Sequence, residues 1–413
     1  VPRLTFLRLI NLLFVGIFFG VLALPLLTHH WRGDPGIWAS EKRQASPFPP
    51  WPQSWQSILA WSKQADDYLA DHFGGRTKMV MAFNRARYGL FGETPTEQTV
   101  FGEHGRLFLT SHSAANPYSL IGAICGVGVD DAALDRAAGD LEAFLRQATP
   151  WAADSYVMAV PTAPALYARD LPVWAQAQCT RATTMDRLMP RLPPGPMHDR
   201  LLYPLPAMMA AESRGDVIPL TNFHWEGLGA RTAAVAFAEG RLGLTPRMTL
   251  PTRAETEPSD IEQMIPGIPT GNVVRLPDYA AVGADYCWGA SCFPELGATA
   301  GTIYDLSRLR SPRAGDRKLL VFSDSFGTAI VGWFAPYFGS VWHFSVSNMS
   351  RMSGEERERF RQHVFIEYKP DVVLYLFHDG SVQYWPAAIA VPGLWAAAPV
   401  SAAQSASAPT ADR

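Results

Sequence analysis

Lys318-Leu319-Leu320-Val321-Phe322-Ser323-Asp324-Ser325-Phe326 is the stretch that decides the fold. An apolar run this short, ended by a cluster of turn residues, reads as a strand buried on both faces. Thr328 to Tyr337 then carries a helical pattern, and Val341 to Val346 returns as a strand. Ser353 and Glu356 stand at capping-box spacing, and the helix they open carries Phe360, Val364 and Tyr368 on one face. Asp371 to Phe377 is another apolar strand. Strand, helix, strand, helix, strand at these intervals predicts right-handed crossovers and a parallel sheet covered on both sides, an α/β fold. In such sheets ligands bind at the C-terminal ends of the strands, which is where Ser323, Asp324 and Ser325 fall.

Working back toward the N-terminus, Trp55 to about Leu90 reads as helix and Val100 to Leu109 as a hairpin around Gly102 and Gly105. Asp140 to Arg146 reads as helix and Tyr156 to Val160 as a short strand. Val217 to Leu220 reads as another strand, ending just before Thr221-Asn222-Phe223-His224-Trp225, with a helix after Gly229. The chain has 413 residues, 48% of them hydrophobic, a globular composition. A net charge of -3 leaves no basic stripe, so nucleic acid is not an expected partner. The acidic and histidine residues show no metal-binding spacing, and no cofactor is implied.

Leu9 to Leu27 is an apolar run close to the ~20 residues that a membrane-crossing helix needs. It predicts a retained signal anchor, with the lipid bilayer as a partner and the folded bulk outside the cytoplasm. A Pro/Trp-rich spacer, Pro47 to Trp55, follows. Four cysteines suit an oxidising compartment, and the close pair Cys287 and Cys292 is expected to be bridged. For Cys125 and Cys179, a bridge and free thiols are equally compatible with the sequence. The Ala/Ser/Pro-rich tail from Pro386 lacks the apolar pattern to fold and is expected to be disordered.

The chemistry concentrates in two places. At the end of the Lys318 strand, a serine hydroxyl stands beside backbone N–H groups at a helix start, which suits a developing oxyanion. Taken alone, Ser-Asp-Ser is also a helix-capping pattern. The second place is His224, an imidazole with the side-chain amide of Asn222 two residues before it, on the same face of an extended segment.

These segments resemble the alginate O-acetyltransferases with SGNH-hydrolase-like domains, which carry Asp-x-His-Trp upstream and Gly-Asp-Ser-Phe downstream. Glu41-Lys42-Arg43, Asp71-His72-Phe73-Gly74-Gly75-Arg76, Phe101 to Phe108, Val160-Pro161 with Tyr167 to Pro172, and Lys369 to Val373 are similar to that family's further segments, in its order. The resemblance runs from about 41 to 380. It implies Ser325 as the nucleophile that carries the acyl group, His224 as its base, and position 222 as the residue orienting the histidine. Asn222 stands where the family has aspartate, and Ser323 where it has the first glycine. An amide oxygen can accept from the imidazole but brings no charge, so Asn222→Asp is expected to raise turnover.

Around these three, Asp324 and Asn348 are candidates beside the oxyanion, and Trp225 is the tryptophan placed near a ligand. The organisation that follows is a cytoplasmic stub at 1–8, a transmembrane anchor at 9–27, a linker at 28–54, an SGNH-like acetyltransferase domain at 55–385 and a tail at 386–413. The function implied is transfer of acetyl groups to exopolysaccharide hydroxyls in the periplasm, from the bacterial inner membrane. The resemblance also implies a membrane-bound O-acyltransferase partner supplying those groups. A carbohydrate esterase of the same fold, and a catalytically silent polysaccharide-binding or scaffold subunit, are the alternative readings.

Overall fold

The computed structural model describes residues 11–21, 23, 46–72, 74–110, 120–148, 154–179, 182–195 and 198–384. The expected tail and both ends of the expected anchor lie outside them. Residues 11–21 are helical and exposed. Among the described residues, no helix is long and apolar enough to cross a membrane.

The chain divides into two compact units. The first comprises the residues up to Glu97 together with Ile261–Thr270. Its helices include α1 (Trp55–Asp71) and α2 (Arg76–Phe91). The single helix expected over 55–90 is interrupted because Gly75 adopts φ 75°, a conformation open to glycine and costly for other residues. Asn84 Nδ2 donates to the Pro266 carbonyl at 2.9 Å, which ties α2 to the 261–270 segment.

The second unit holds every strand found among the described residues: β1 (Thr99–Phe101), β2 (Leu107–Leu109), β3 (Asp154–Val160), β4 (Leu201–Leu202), β5 (Thr252–Glu257), β6 (Asn272–Pro277), β7 (Asp285–Trp288), β8 (Leu306–Arg310), β9 (Lys318–Ser323), β10 (Ser340–Ser345) and β11 (Val372–His378). Seven of them form one sheet in the order β4-β3-β11-β9-β10-β8-β7. The first five in that order are parallel, and β8 and β7 run antiparallel at the edge. β9 is central, and Leu319, Leu320, Val321 and Phe322 are almost wholly buried, alternating between the cores on the two faces. This is the buried parallel sheet that the apolar runs predict.

Helices α3 (Asp131–Ala148), α4 (Gly227–Val235), α5 (Gly327–Ile330) and α6 (Gly354–Arg361) belong to the same unit. The capping box of Ser353 and Glu356 is formed at the start of α6. The helix expected over 328–337 is shorter, α5 passing into a 3₁₀ turn over Val331–Phe334.

The strand expected at 217–220 is not formed; the segment consists of turns. Pro219 has no N–H to give a ladder, and the neighbouring backbone groups are satisfied elsewhere. Val217 N–H donates to the Tyr167 hydroxyl at 3.0 Å. The Ile218 carbonyl accepts from the buried Arg106 guanidinium at 3.0 Å. Helix α4 lies so close to this segment that a Cβ on Gly229 would come within 2.0 Å of the Val217 carbonyl oxygen.

Both cysteine pairs are bridged, Cys287 to Cys292 and Cys125 to Cys179. The second bridge joins positions 54 residues apart, a pairing that spacing alone leaves open.

Candidate active site

The nucleophile turn is built by β9. Where the strand ends, the Ser323 carbonyl accepts from Val346 N–H at 2.8 Å, and Asp324 N–H donates to the Leu376 carbonyl at 3.1 Å, so both neighbouring strands hold the turn. The Asp324 carboxylate accepts from Phe326 N–H at 3.0 Å through Oδ1 and from His378 N–H at 2.8 Å through Oδ2. Asp324 is thus committed to the turn. Ser325 is exposed at its tip. Its N–H has no acceptor among the described residues, while the N–H groups on either side are used.

Ser323 is fully buried beneath the turn. Its hydroxyl donates to the Asp324 carbonyl at 2.6 Å and lies 2.7 Å from His343 Nε2, whose Nδ1 is 3.3 Å from Ser307 Oγ. With the Ser323 proton given to Asp324, His343 must donate through Nε2–H and accept from Ser307 at Nδ1, a neutral tautomer. Burial favours that neutral form and pulls the His343 pKa down to about 4. Gly327 is required here, since a Cβ would sit 1.9 Å from Ser323 Oγ. The buried Ser323 hydroxyl is therefore accommodated by a partner of its own.

His224 reaches the nucleophile from the irregular segment before α4. Its Nε2 is 2.6 Å from Ser325 Oγ, and its Nδ1 is 2.5 Å from Asp260 Oδ2. The Asp260 carboxylate also accepts from Phe223 N–H at 2.9 Å and His224 N–H at 2.8 Å, so the backbone beside the histidine fixes it. Ser325, His224 and Asp260 form a continuous hydrogen-bonded serine, imidazole and carboxylate, an arrangement able to take the proton from a serine hydroxyl.

Asn222 is therefore not the orienting residue. It is buried, and its Oδ1 accepts from Asp260 N–H at 3.3 Å and from Asn272 Nδ2 at 2.8 Å. It braces the loop that delivers the carboxylate. Ser259 supports the same loop by donating to the Thr221 carbonyl at 2.5 Å. The physical reason for the exchange is direct: the carboxylate of Asp260 takes the Nδ1–H, and the amide supports its loop from behind.

Trp225 does not lie open to a ligand, against the expectation from its place beside His224. It is 0% exposed and cannot present a face. Its Nε1 donates to the Phe326 carbonyl at 2.9 Å, which links the histidine segment to the nucleophile turn. The rings of Phe223 and Phe326 pack at 5.2 Å and those of His224 and Phe326 at 4.6 Å. Asn348 is half-buried in the turn after β10, where its carbonyl accepts from Arg351 N–H at 2.9 Å.

Sequence reasoning misses Asp260. It stands 36 residues after His224 with no motif around it. The local signal is the Pro258-Ser259-Asp260 turn composition just past β5, which marks a loop but no chemistry.

A cavity of about 520 Å³ is lined by Arg214, Glu226, Arg231, Asn272, Arg275 and Trp333 among others. Neither Ser325 nor His224 lines it, so hydrogen-bond geometry locates the site, not cavity volume. Glu226 is itself unusual: burial, then the charges of Glu257 and Asp260, push its pKa up to about 8.

No protein-family model matches the chain, and no curated protein matches it. Among solved structures it is similar to a DHHW family protein from Eubacterium siraeum, at 19% identity over 62% of this chain and 88% of that one, with a TM-score of 0.45. It is also similar to the O-acetyltransferase domain of Pseudomonas putida AlgJ, at 16% identity over 70% and 98% of the two chains, with a TM-score of 0.38. A third is Bacillus cereus PatB1, at 14% identity, 61% and 90% coverage and a TM-score of 0.38.

Proposed function

We propose that the protein is a serine-dependent O-acetyltransferase that moves acetyl groups to exopolysaccharide hydroxyls. The observation that carries this reading is the single imidazole of His224 bridging Ser325 Oγ at 2.6 Å and Asp260 Oδ2 at 2.5 Å. As an acyl donor binds, His224 Nε2 takes the Ser325 proton while Oγ bonds to the acyl carbon. The bond to the leaving group then breaks, and His224 returns the proton to that group. In the second half the acceptor hydroxyl gives its proton to His224 and its oxygen bonds to the acyl carbon. The Oγ–acyl bond breaks and the proton goes back to Ser325. Asp260 holds the imidazole in the tautomer both halves need and offsets the charge it gains.

The Ser325 N–H is the first donor assigned to the developing oxyanion. The second is the Asn348 side chain, which follows the parallel strand next to β9. The folded domain is assigned to the space outside the cytoplasm, held to the inner membrane by the apolar N-terminal run. The two disulfides support an oxidising compartment. A membrane-bound O-acyltransferase is the proposed source of acetyl groups. An esterase differs only in that water replaces the sugar, and the exposure of Ser325 leaves that route open to the same acyl-enzyme.

The test is labelling with a fluorophosphonate followed by transfer assays with p-nitrophenyl acetate as donor. Labelling at Ser325, lost in Ser325→Ala and in His224→Ala, is the expected result. Equal labelling of Ser325→Ala and the parent removes this serine from the mechanism.

A further inference from the structure

The antiparallel edge of the sheet brings a second set of groups to the same end as the nucleophile. Ser323 pairs with Ser345 across β9 and β10, and Ser345 N–H donates to the Asp305 carbonyl at 2.9 Å. Asp305 thus lies in the row of Ser323, two strand spacings or about 10 Å away. Its carboxylate accepts from Trp288 Nε1 at 3.1 Å and from the Thr328 hydroxyl at 3.2 Å. Thr328 is in α5, three residues beyond Ser325, so Asp305 connects Trp288 to the helix that begins just after the Ser325 turn.

Trp288 is 52% exposed, yet it is held at several points. It pairs with Ser307 in the β7–β8 ladder, and the Cys287–Cys292 bridge closes the loop that contains it. Gly289 N–H donates to the Leu306 carbonyl at 2.8 Å. The side chain is tied down through its ring N–H and remains about half exposed, the combination that lets an aromatic bind without first losing rotamer freedom.

Tyr304, immediately before Asp305, is 68% exposed. Its backbone has φ 71° and ψ -57°, and Asp305 N–H donates to the Ile303 carbonyl at 2.9 Å across it. That is a γ-turn of the positive-φ kind, rare and strained for a residue with a side chain. Strain of this type concentrates where a ligand is held.

We propose that Trp288, Asp305 and Tyr304 form the platform for the saccharide that accepts the acyl group. A pyranose ring stacks its C–H face on Trp288, and its hydroxyls donate to the lone pairs left on Asp305. The exposed Tyr304 ring borders the neighbouring sugar unit. This rests on the acyltransfer reading and names the surface that would make a sugar, and not water, the acceptor.

The experiment measures the ratio of sugar acetylation to ester hydrolysis, with p-nitrophenyl acetate as donor and subsaturating β-1,4-linked hexasaccharides (cello-, chito- and mannuronate) as acceptors. Trp288→Ala lowers the ratio about tenfold and Trp288→Phe about threefold, in line with the loss of one aromatic contact. Tyr304→Gly lowers it while raising Tm, because glycine relaxes the γ-turn; a purely structural residue would not lower one and raise the other. An unchanged ratio in Trp288→Ala with the disulfide intact overturns the platform. So does a parent that hydrolyses the ester and acetylates none of the three sugars. Turnover surviving in Ser325→Ala would instead strike the serine reading itself, which separates the two failures.

Discussion

The nucleophile end of the site and the histidine end are built by opposite means. Ser325 stands on the most regular part of the molecule, between a central strand and a helix, with its turn fixed mainly by groups within three residues or on, or just past, the two adjacent parallel strands. His224 stands on turns, and its position depends on Asn222, Ser259, Asp260 and Asn272, the last three of which are about 35 to 50 residues away in sequence. One half is dictated by local pattern, the other by a network that exists only when the chain is folded. The two halves should therefore respond differently to substitution: the first by losing chemistry alone, the second by losing chemistry and order together.

The largest effect belongs to Ser325→Ala. The side chain is exposed and contributes little packing, so Tm should stay within about 1 °C of the parent. Acyl transfer should fall by about 10⁴ or more, the scale for removing a nucleophile. A variant that loses activity and also melts several degrees lower would show that the turn depends on the hydroxyl, and would blur the contrast.

Asp260→Asn comes next. The carboxylate receives two backbone N–H groups and the imidazole N–H on its two oxygens, so an amide must turn its NH₂ toward a donor on one side. The corresponding change in a serine protease triad lowers kcat by roughly 10⁴, and a loss of about 10³ to 10⁴ is expected here. Unlike Ser325→Ala, this variant should also be less stable, measured as a lower denaturant midpoint at unchanged slope. Full activity in Asp260→Asn would mean that another group orients His224.

Asn222→Asp sharpens the same comparison. On sequence grounds the change promises a gain, because it places a carboxylate two residues before His224. In the folded chain it puts a second negative charge at a residue 3% exposed, hydrogen-bonded to the backbone of Asp260. Like charges in such a place raise one another's pKa and oppose folding. The variant should be no faster than the parent and less stable by about 1 to 3 kcal/mol. A tenfold faster enzyme would restore position 222 as the orienting group.

How far the sequence can be read follows the same division. The buried run Leu319 to Phe322, the capping box at Ser353 and the strand before His378 are each local patterns, and from them come the sheet, its parallel sense and Ser325 at a strand end. His224 is legible as a histidine just ahead of a helix with a polar neighbour on its own face. Asp260 is not, because the resemblance directs attention to position 222 and nothing near 260 distinguishes that aspartate from others. Trp225 misleads for a related reason: adjacency to His224 in sequence places it near the site, but its ring is wholly buried, where its N–H holds the Phe326 carbonyl. An exposed tryptophan at the same end of the sheet is Trp288, carried there by the antiparallel pairing of β7 with β8.

The smallest expected effect concerns Glu226, which sits at the histidine end and lines the cavity. Burial, with the charges of Glu257 and Asp260, holds its pKa at about 8 against an ordinary 4.5. Arg214, Arg231 and Arg275 line the same cavity without bringing it down. The sign follows from proton counting. Below pH 4.5 the group is protonated folded or unfolded and does not affect stability. Between 4.5 and 8 the unfolded chain releases a proton that the folded chain retains, so stability falls as pH rises. Above 8 both states are ionised and the penalty is constant. The full shift corresponds to about 5 kcal/mol at roughly 1.36 kcal/mol per pKa unit, and water entering the cavity on ionisation reduces it, so about 2 kcal/mol is expected. Glu226→Gln removes the titration while keeping the shape. Its stability should match the parent at about pH 4.5 and exceed it by about 2 kcal/mol at about pH 8.5, measured by urea unfolding across that range. A constant difference between the two proteins at every pH would mean that Glu226 ionises normally, and that the histidine end is less strained by its own charges than its geometry implies.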